Sequence, residues 1–267
     1  MADTQPTKKQ RKEAARQARL ERERAEAAAG ARKRRLTIVG AALAAAVVVV
    51  VIAIAVSSGG GSKTKSPGAS AGGAVNGRTE MTQMLAGIPQ HGTTLGNPNA
   101  KVTLNEFADL RCPFCRDFSQ QTLPLIVRDY VRTGKVKLVY QDLGFLGPES
   151  VTAAAAGAAA AQQNKLWNFA ELFYFNQGSE TTPYVTDAFI TKLYRAIPGL
   201  DVAKANAARK KPPATTAINE PRTLADQFQI SSTPSFTYGR TGQPQKLLET
   251  QTNAYGDFQK ALDPLLK

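Results

Sequence analysis

The stretch Val102–Phe118, VTLNEFADLRCPFCRDF, joins a strand to a helix through the two cysteines of the chain. Lys101–Ala108 reads as a strand, preceded by a turn at Gly96-Asn97-Pro98-Asn99. Pro113–Arg132 reads as a helix, with Gly134 beyond its end as a stop signal. Pro113 suits the first helical position, because the N–H it lacks would be unpaired there anyway. Lys135–Tyr140, KVKLVY, alternates as a second strand. Strand, helix and strand form a βαβ unit, which implies parallel neighbours and a right-handed crossover.

Cys112 and Cys115 are separated by Pro113 and Phe114 and sit where the strand gives way to the helix. That context marks a redox dithiol. Both sulfurs meet at the first turn. There the unsatisfied backbone N–H groups and the positive end of the helix dipole favour a thiolate. Arg111 and Arg116 flank the pair and are expected to add positive potential. A metal centre is excluded by supply, because two Cys and the single His91 fall short of a tetrahedral set. Haem attachment needs His after the second Cys, and that residue is Arg116. A purely structural disulfide across four residues would constrain little of the unfolded chain. His91, in a Gln-His-Gly turn, reads as a surface histidine.

Downstream, residues 149–229 read as mostly helical. Trp167, Phe169, Leu172 and Phe173 recur at helical spacing and read as core. Pro212-Pro213 separates helices. Ser235–Tyr238 and Lys246–Leu248 suggest an antiparallel hairpin, and Ala254–Leu266 a closing helix. The order is βαβ, a helical block, then ββα, an α/β fold.

Val102–Phe118 resembles the active-site strand and helix of DsbA-like thiol-disulfide oxidoreductases of the thioredoxin superfamily. Ser232-Thr233-Pro234-Ser235-Phe236 is similar to that family's cis-proline segment, and the helical block stands where the family inserts a helical domain. The resemblance covers roughly residues 91–267. It implies a thioredoxin-like fold whose only redox group is the Cys112–Cys115 disulfide. Cys112 would be the exposed nucleophile and Cys115 the buried resolving cysteine. Thr233 would offer backbone groups to a bound peptide, and Pro234 would be cis and packed against the pair. Glu106 matches the family's buried acid and would accept the Cys115 proton. Read from the residues alone, Glu106 is either a desolvated strand carboxylate or a solvent-facing strand end, since alternation does not fix its face. Strongly oxidising members carry His where Phe114 stands, which implies a milder oxidant here.

The N-terminal part differs in character. Of the net charge of +13, residues 1–35 carry 12 Lys and Arg against 5 Asp and Glu. This basic tail abuts Leu36–Val56, 21 residues without a charge. Such a run spans a bilayer core of about 30 Å. Arg32–Arg35 on one flank place the N-terminus in the cytoplasm and the remainder outside. The competing reading is a cleaved signal peptide ending at Ala53-Ile54-Ala55. Residues 57–77 hold seven Gly and five Ser, and a flexible linker is read over 57–86 with the domain from 87 to 267. The tail has no clear apolar face, and its position beside an apolar run favours membrane topology over nucleic-acid binding. The composition is similar to that of actinobacterial membrane-anchored members.

Three functions follow as expectations. The first is a membrane-anchored thiol oxidase acting on exported proteins and reoxidised by a quinone-linked partner of DsbB or vitamin K epoxide reductase type. The second is a reductase or isomerase using the same site. The third is a non-catalytic polypeptide-binding module.

Overall fold

The structure is a computed structural model that describes residues 74–250 and 253–267. The basic tail, the apolar run 36–56 and the first part of the linker lie outside these residues. Among the described residues, no helix is long and apolar enough to cross a membrane.

Six strands form one mixed sheet in the order β1-β2-β4-β3-β5-β6, with β6 (Lys246–Leu247) antiparallel to β5 at one edge. The central strand β3 (Val102–Ala108) is buried along its whole length. It runs parallel to β4 (Val136–Asp142) and antiparallel to β5 (Ser235–Arg240). The β3–β4 crossover is helical throughout: α2 (Pro113–Gln121), α3 (Leu123–Ile126) and a π-helical turn (Val127–Val131). The sequence read this segment as one helix. Pro124 lacks the N–H that would bond back to the preceding turn, and α2 ends before it. β1 (Gln90–His91) and β2 (Thr94–Leu95) form a short hairpin on the β4 edge, so His91 stands on an exposed edge strand.

Pairing across the sheet puts Tyr140, Glu106 and Phe236 in one row, on one face. Phe118 of α2 and Phe258 of α9 (Tyr255–Leu262) pack against Phe236 with ring centroids 4.7–5.5 Å apart. On the opposite face, Phe107 meets Leu143, Ala225 and Ile230, covered by α8 (Asn219–Gln227).

Between β4 and β5 the chain inserts α4 (Pro148–Ala161), α5 (Leu166–Phe175), α6 (Asp187–Ala196), α7 (Val202–Ala208) and α8. Residues Leu166–Tyr174 of α5 are buried on every side rather than along one stripe. The alanines of α4 let neighbouring helices approach closely, and the Tyr194 hydroxyl of α6 donates to the Ala156 carbonyl at 2.7 Å.

The linker boundary needs correction. Helix α1 (Arg78–Leu85) lies inside the segment read as a flexible linker, and its Met81 and Leu85 are buried in the main core. Composition favoured a spacer, but α1 is held by tertiary packing rather than by helical propensity. Gly77 starts it at φ 75°, where a Cβ would overlap the Phe175 ring. The folded region therefore begins some ten residues before Gly87.

Candidate active site

Cys112 occupies the N-cap of α2 with extended backbone angles, and Pro113 fills the first turn. The turn that delivers it is built on Asp109, which is fully buried. Asp109 Oδ1 accepts from the Arg111 N–H and the Ser150 hydroxyl, both at 2.8 Å, and Oδ2 accepts from the Leu146 N–H at 2.9 Å. From the helical insertion, the Gln177 side-chain amide donates to the Leu110 and Cys112 carbonyls at 2.8 and 3.1 Å. The cysteine loop is thus clamped by groups that lie about 40 and 70 residues away in sequence.

Both cysteines are free thiols. Cys112, expected as the exposed nucleophile, is only 4% exposed, covered by the segment that carries Thr233, and Cys115 is fully buried. The Cys112 thiol donates to the Thr233 carbonyl oxygen at 3.3 Å, and the Thr233–Pro234 peptide bond is cis. The chain's other cis bond among the described residues is Pro212–Pro213. The Cys112 pKa is lowered to about 6. Hydrogen bonding from Cys115 contributes most, and the Thr233 side chain and the backbone of Cys115 and Phe114 add to it against the opposing effect of burial. The Cys115 thiol is pushed well up, chiefly by burial and then by the Cys112 thiolate beside it. One sulfur is therefore poised as a thiolate while the other keeps its proton, which is the asymmetry thiol–disulfide exchange requires.

Glu106 is 3% exposed and its pKa is raised, by burial first and then by the charges of Glu171 and Asp142. Its charge in turn opposes ionisation of Cys115, which places the two groups in one electrostatic neighbourhood.

The two arginines play other parts. Arg111 is buried and its guanidinium is bonded elsewhere. Its Nη1 donates to the Leu146 carbonyl at 2.9 Å and its Nη2 to the Glu180 carbonyl at 2.6 Å. Nη2 also pairs with Glu149 at 3.2 Å, and the guanidinium lies over the Tyr184 ring. Arg116 pairs with its neighbour Asp117 at 3.0 Å. Both arginines are thus paired with other groups, and neither is among the largest causes that lower the Cys112 pKa. Phe114 is 67% exposed, with Phe145 and Leu146 also exposed nearby in the chain segment that Asp109 and Arg111 hold. Among the described residues, no cluster of three His, Cys, Asp or Glu is placed to hold a metal ion.

The thioredoxin family profile matches residues 90–263. The chain is a DsbA-like member of the thioredoxin superfamily. A "Probable disulfide bond formation protein D" of Bacillus cereus is 27% identical over 178 residues, 65% of this chain and 78% of that protein. Among solved structures, oxidised BdbD of Bacillus subtilis aligns with a TM-score of 0.59 at 22% identity, over 67% of this chain and 97% of that one. DsbA of Chlamydia trachomatis aligns with a TM-score of 0.56 at 18% identity, over 77% and 97%. The chain is a thiol-disulfide oxidoreductase, and Cys112 and Cys115 are its two cysteines.

Sequence reading of this oxidoreductase missed Asp109 and Gln177. Asp109 was legible in principle as an Asp three residues before a helix cap. Gln177 acts through partners distant in sequence and leaves no local signature.

Proposed function

We propose that this oxidoreductase introduces disulfides into exported polypeptides. The observation that carries the reading is the Cys112 sulfur at the N-cap of α2, with its pKa pulled down to about 6. Stabilising that thiolate stabilises the reduced enzyme, and so makes the disulfide a better oxidant. A substrate thiolate attacks Cys112 Sγ, the Cys112–Cys115 bond breaks, and Cys115 leaves. The second substrate thiol then resolves the mixed disulfide, which leaves the substrate oxidised and the enzyme a dithiol. Glu106 supplies the Cys115 proton, and Thr233 with Pro234 borders the bound chain. Phe114, Phe145 and Leu146 are three of the four large exposed apolar residues among those described, and they give an unfolded substrate an apolar surface beside the sulfur. The names of the relatives support the oxidising direction.

Leu36–Val56 acts as a single-pass anchor, with the basic tail in the cytoplasm and the redox domain outside. A quinone-linked membrane protein of DsbB or vitamin K epoxide reductase type restores the disulfide. Protease added to spheroplasts is expected to digest the chain after Val56 and spare the tail. A fully soluble secreted product would instead indicate cleavage after Ala55.

A reductase or isomerase is the second reading, favoured by Phe114, which offers the thiolate no donor side chain. Equilibration in glutathione buffers separates the two. A potential towards the roughly −120 mV of strong oxidants supports the oxidase, and one near the roughly −270 mV of thioredoxin reverses the direction.

A further inference from the structure

Cys112 is held from two sides by segments far from it in the chain. Its thiol donates to the Thr233 carbonyl at 3.3 Å, and its own carbonyl accepts from the Gln177 side-chain amide at 3.1 Å. The same Gln177 nitrogen donates to the Leu110 carbonyl at 2.8 Å. Both acceptors are carbonyl oxygens, so only the nitrogen of the amide can face them. The position of Oε1, on the same amide carbon beside the cysteine loop, is fixed with it. Gln177 stands two residues past α5, a helix buried on every side, so its backbone is set independently of that loop.

Among the described residues nothing donates to Gln177 Oε1. The buried polar side-chain atoms left without a partner there are Arg111 Nε, Asp142 Oδ2, Tyr184 Oη and Gln245 Oε1, so Gln177 Oε1 is open to solvent. The main chain beside it repeats the pattern. The Gly178 N–H and the Gln177 and Gly178 carbonyls also have no partner among the described residues.

We propose that Gln177 is a main-chain anchor for the bound polypeptide: its Oε1 accepts a backbone N–H next to the substrate cysteine while its nitrogen holds the Cys112 loop. The inference rests on the dithiol reading above and adds a contact that the sulfur chemistry alone does not require. A substrate thiolate must reach Cys112 Sγ, and the chain that carries it then lies against the groups around that sulfur. Thr233 belongs to one side of Cys112 and Gln177, from the helical insertion, to the other. Oε1 exchanges water for the peptide N–H there. A contact of this kind reads main chain and not side chains, which suits an enzyme whose substrates share cysteines and little else.

The test uses Cys115→Ser protein, in which a Cys112 mixed disulfide has no internal thiol to resolve it. The protein is loaded with mercaptoethanol, which has no N–H, and equilibrated with a short peptide carrying one central cysteine. Mass spectrometry reads the exchange constant between the two adducts. The peptide is then N-methylated at one backbone position at a time on either side of its cysteine. One flanking N-methyl group should lower the constant by roughly fivefold, the weight of one ordinary neutral hydrogen bond. Gln177→Met, with the same reach and no amide, should lower it by the same factor for the parent peptide, and the N-methyl group should then cost nothing more. Gln177→Asn, whose amide is one methylene too short, should lose the same sensitivity and serves if the Met protein does not fold. Equal exchange by the parent and every N-methylated peptide overturns the anchor. So does an N-methyl cost that persists undiminished in the Gln177 variants, since another acceptor, such as the Thr233 carbonyl, then takes the N–H. If the protein with both cysteines does not oxidise dithiothreitol, the dithiol reading itself fails. If it does and the N-methyl series is flat, only the anchor falls.

Discussion

The Cys112 sulfur lies 3.3 Å from the carbonyl oxygen of Thr233, a residue 121 positions further along the chain. Two segments that look unrelated in sequence thus make one site. The thiol donates to that carbonyl. The thiolate cannot, and is instead supported by the Cys115 thiol, the Thr233 side chain and the first backbone groups of α2. Thiolate absorbance should therefore show one transition near pH 6 in the reduced protein, and Cys115 should stay protonated well beyond it. Cys112→Ser should remove the transition and abolish oxidative refolding of a reduced substrate, while peptide binding persists. Retained refolding activity would exclude Cys112 as the nucleophile.

Arg111 separates structural from electrostatic roles. Its guanidinium lies over the Tyr184 ring and bridges Leu146, Glu180 and Glu149. Arg111→Ala leaves two carbonyls and a partly buried carboxylate without their donor. The expected loss is about 2–4 kcal/mol, measured by urea unfolding. The Cys112 transition should hardly move. A clear rise in the Cys112 pKa without loss of stability would return Arg111 to the role that its sequence neighbours suggested.

The contrast between these residues shows what the sequence made legible. VTLNEFA, the CxxC and the proline after it carry local signals of strand, cap and helix start, and the structure places β3 and α2 on them. The helical insertion is long and strongly patterned, so it too was visible. Helix α1 was not, because its composition is polar and Met81 and Leu85 become informative only once a core exists to receive them. Strands β1 and β2, two residues each, are defined by pairing with β4 rather than by their own pattern. The direction of Arg111 depends on where the Phe145-Leu146 loop runs, and the Ser119–Glu171 contact spans 52 residues.

Buried carboxyls predict a pH dependence of stability with a definite sign. Glu171 has a folded pKa of about 8 against an ordinary 4.5. Between these values the folded state binds more protons than the unfolded one, so stability falls as pH rises. Glu106 acts in the same direction. Cys112 opposes them, because its pKa is lowered on folding and it contributes stability as pH rises above 6. The carboxyl effect should therefore be measured in Cys112→Ser protein. Each such group sets a slope of at most about 1.4 kcal/mol per pH unit. Glu171→Gln should flatten the decline between about pH 5 and pH 8. An unchanged profile would mean that Glu171 is already ionised in the folded protein.

Phe114 is the residue between the cysteines that faces solvent, at 67% exposure. Its ring fills no core, so Phe114→His should fold with a stability change within about 0.5 kcal/mol. The imidazole N–H would lie beside the Cys112 sulfur at the N-terminus of α2, where a phenyl ring offers no donor. Because the thiolate exists only in the reduced enzyme, an added donor favours reduction of the disulfide. The Cys112 pKa should fall by about one unit, and the couple should become about 30 mV more oxidising. Thiolate absorbance against pH and equilibration with glutathione read the two quantities separately. They should move together, since one stabilised thiolate underlies both. If neither moves, Cys115, Thr233 and the α2 backbone already satisfy the sulfur, and Phe114 then owes its place to substrate contact alone.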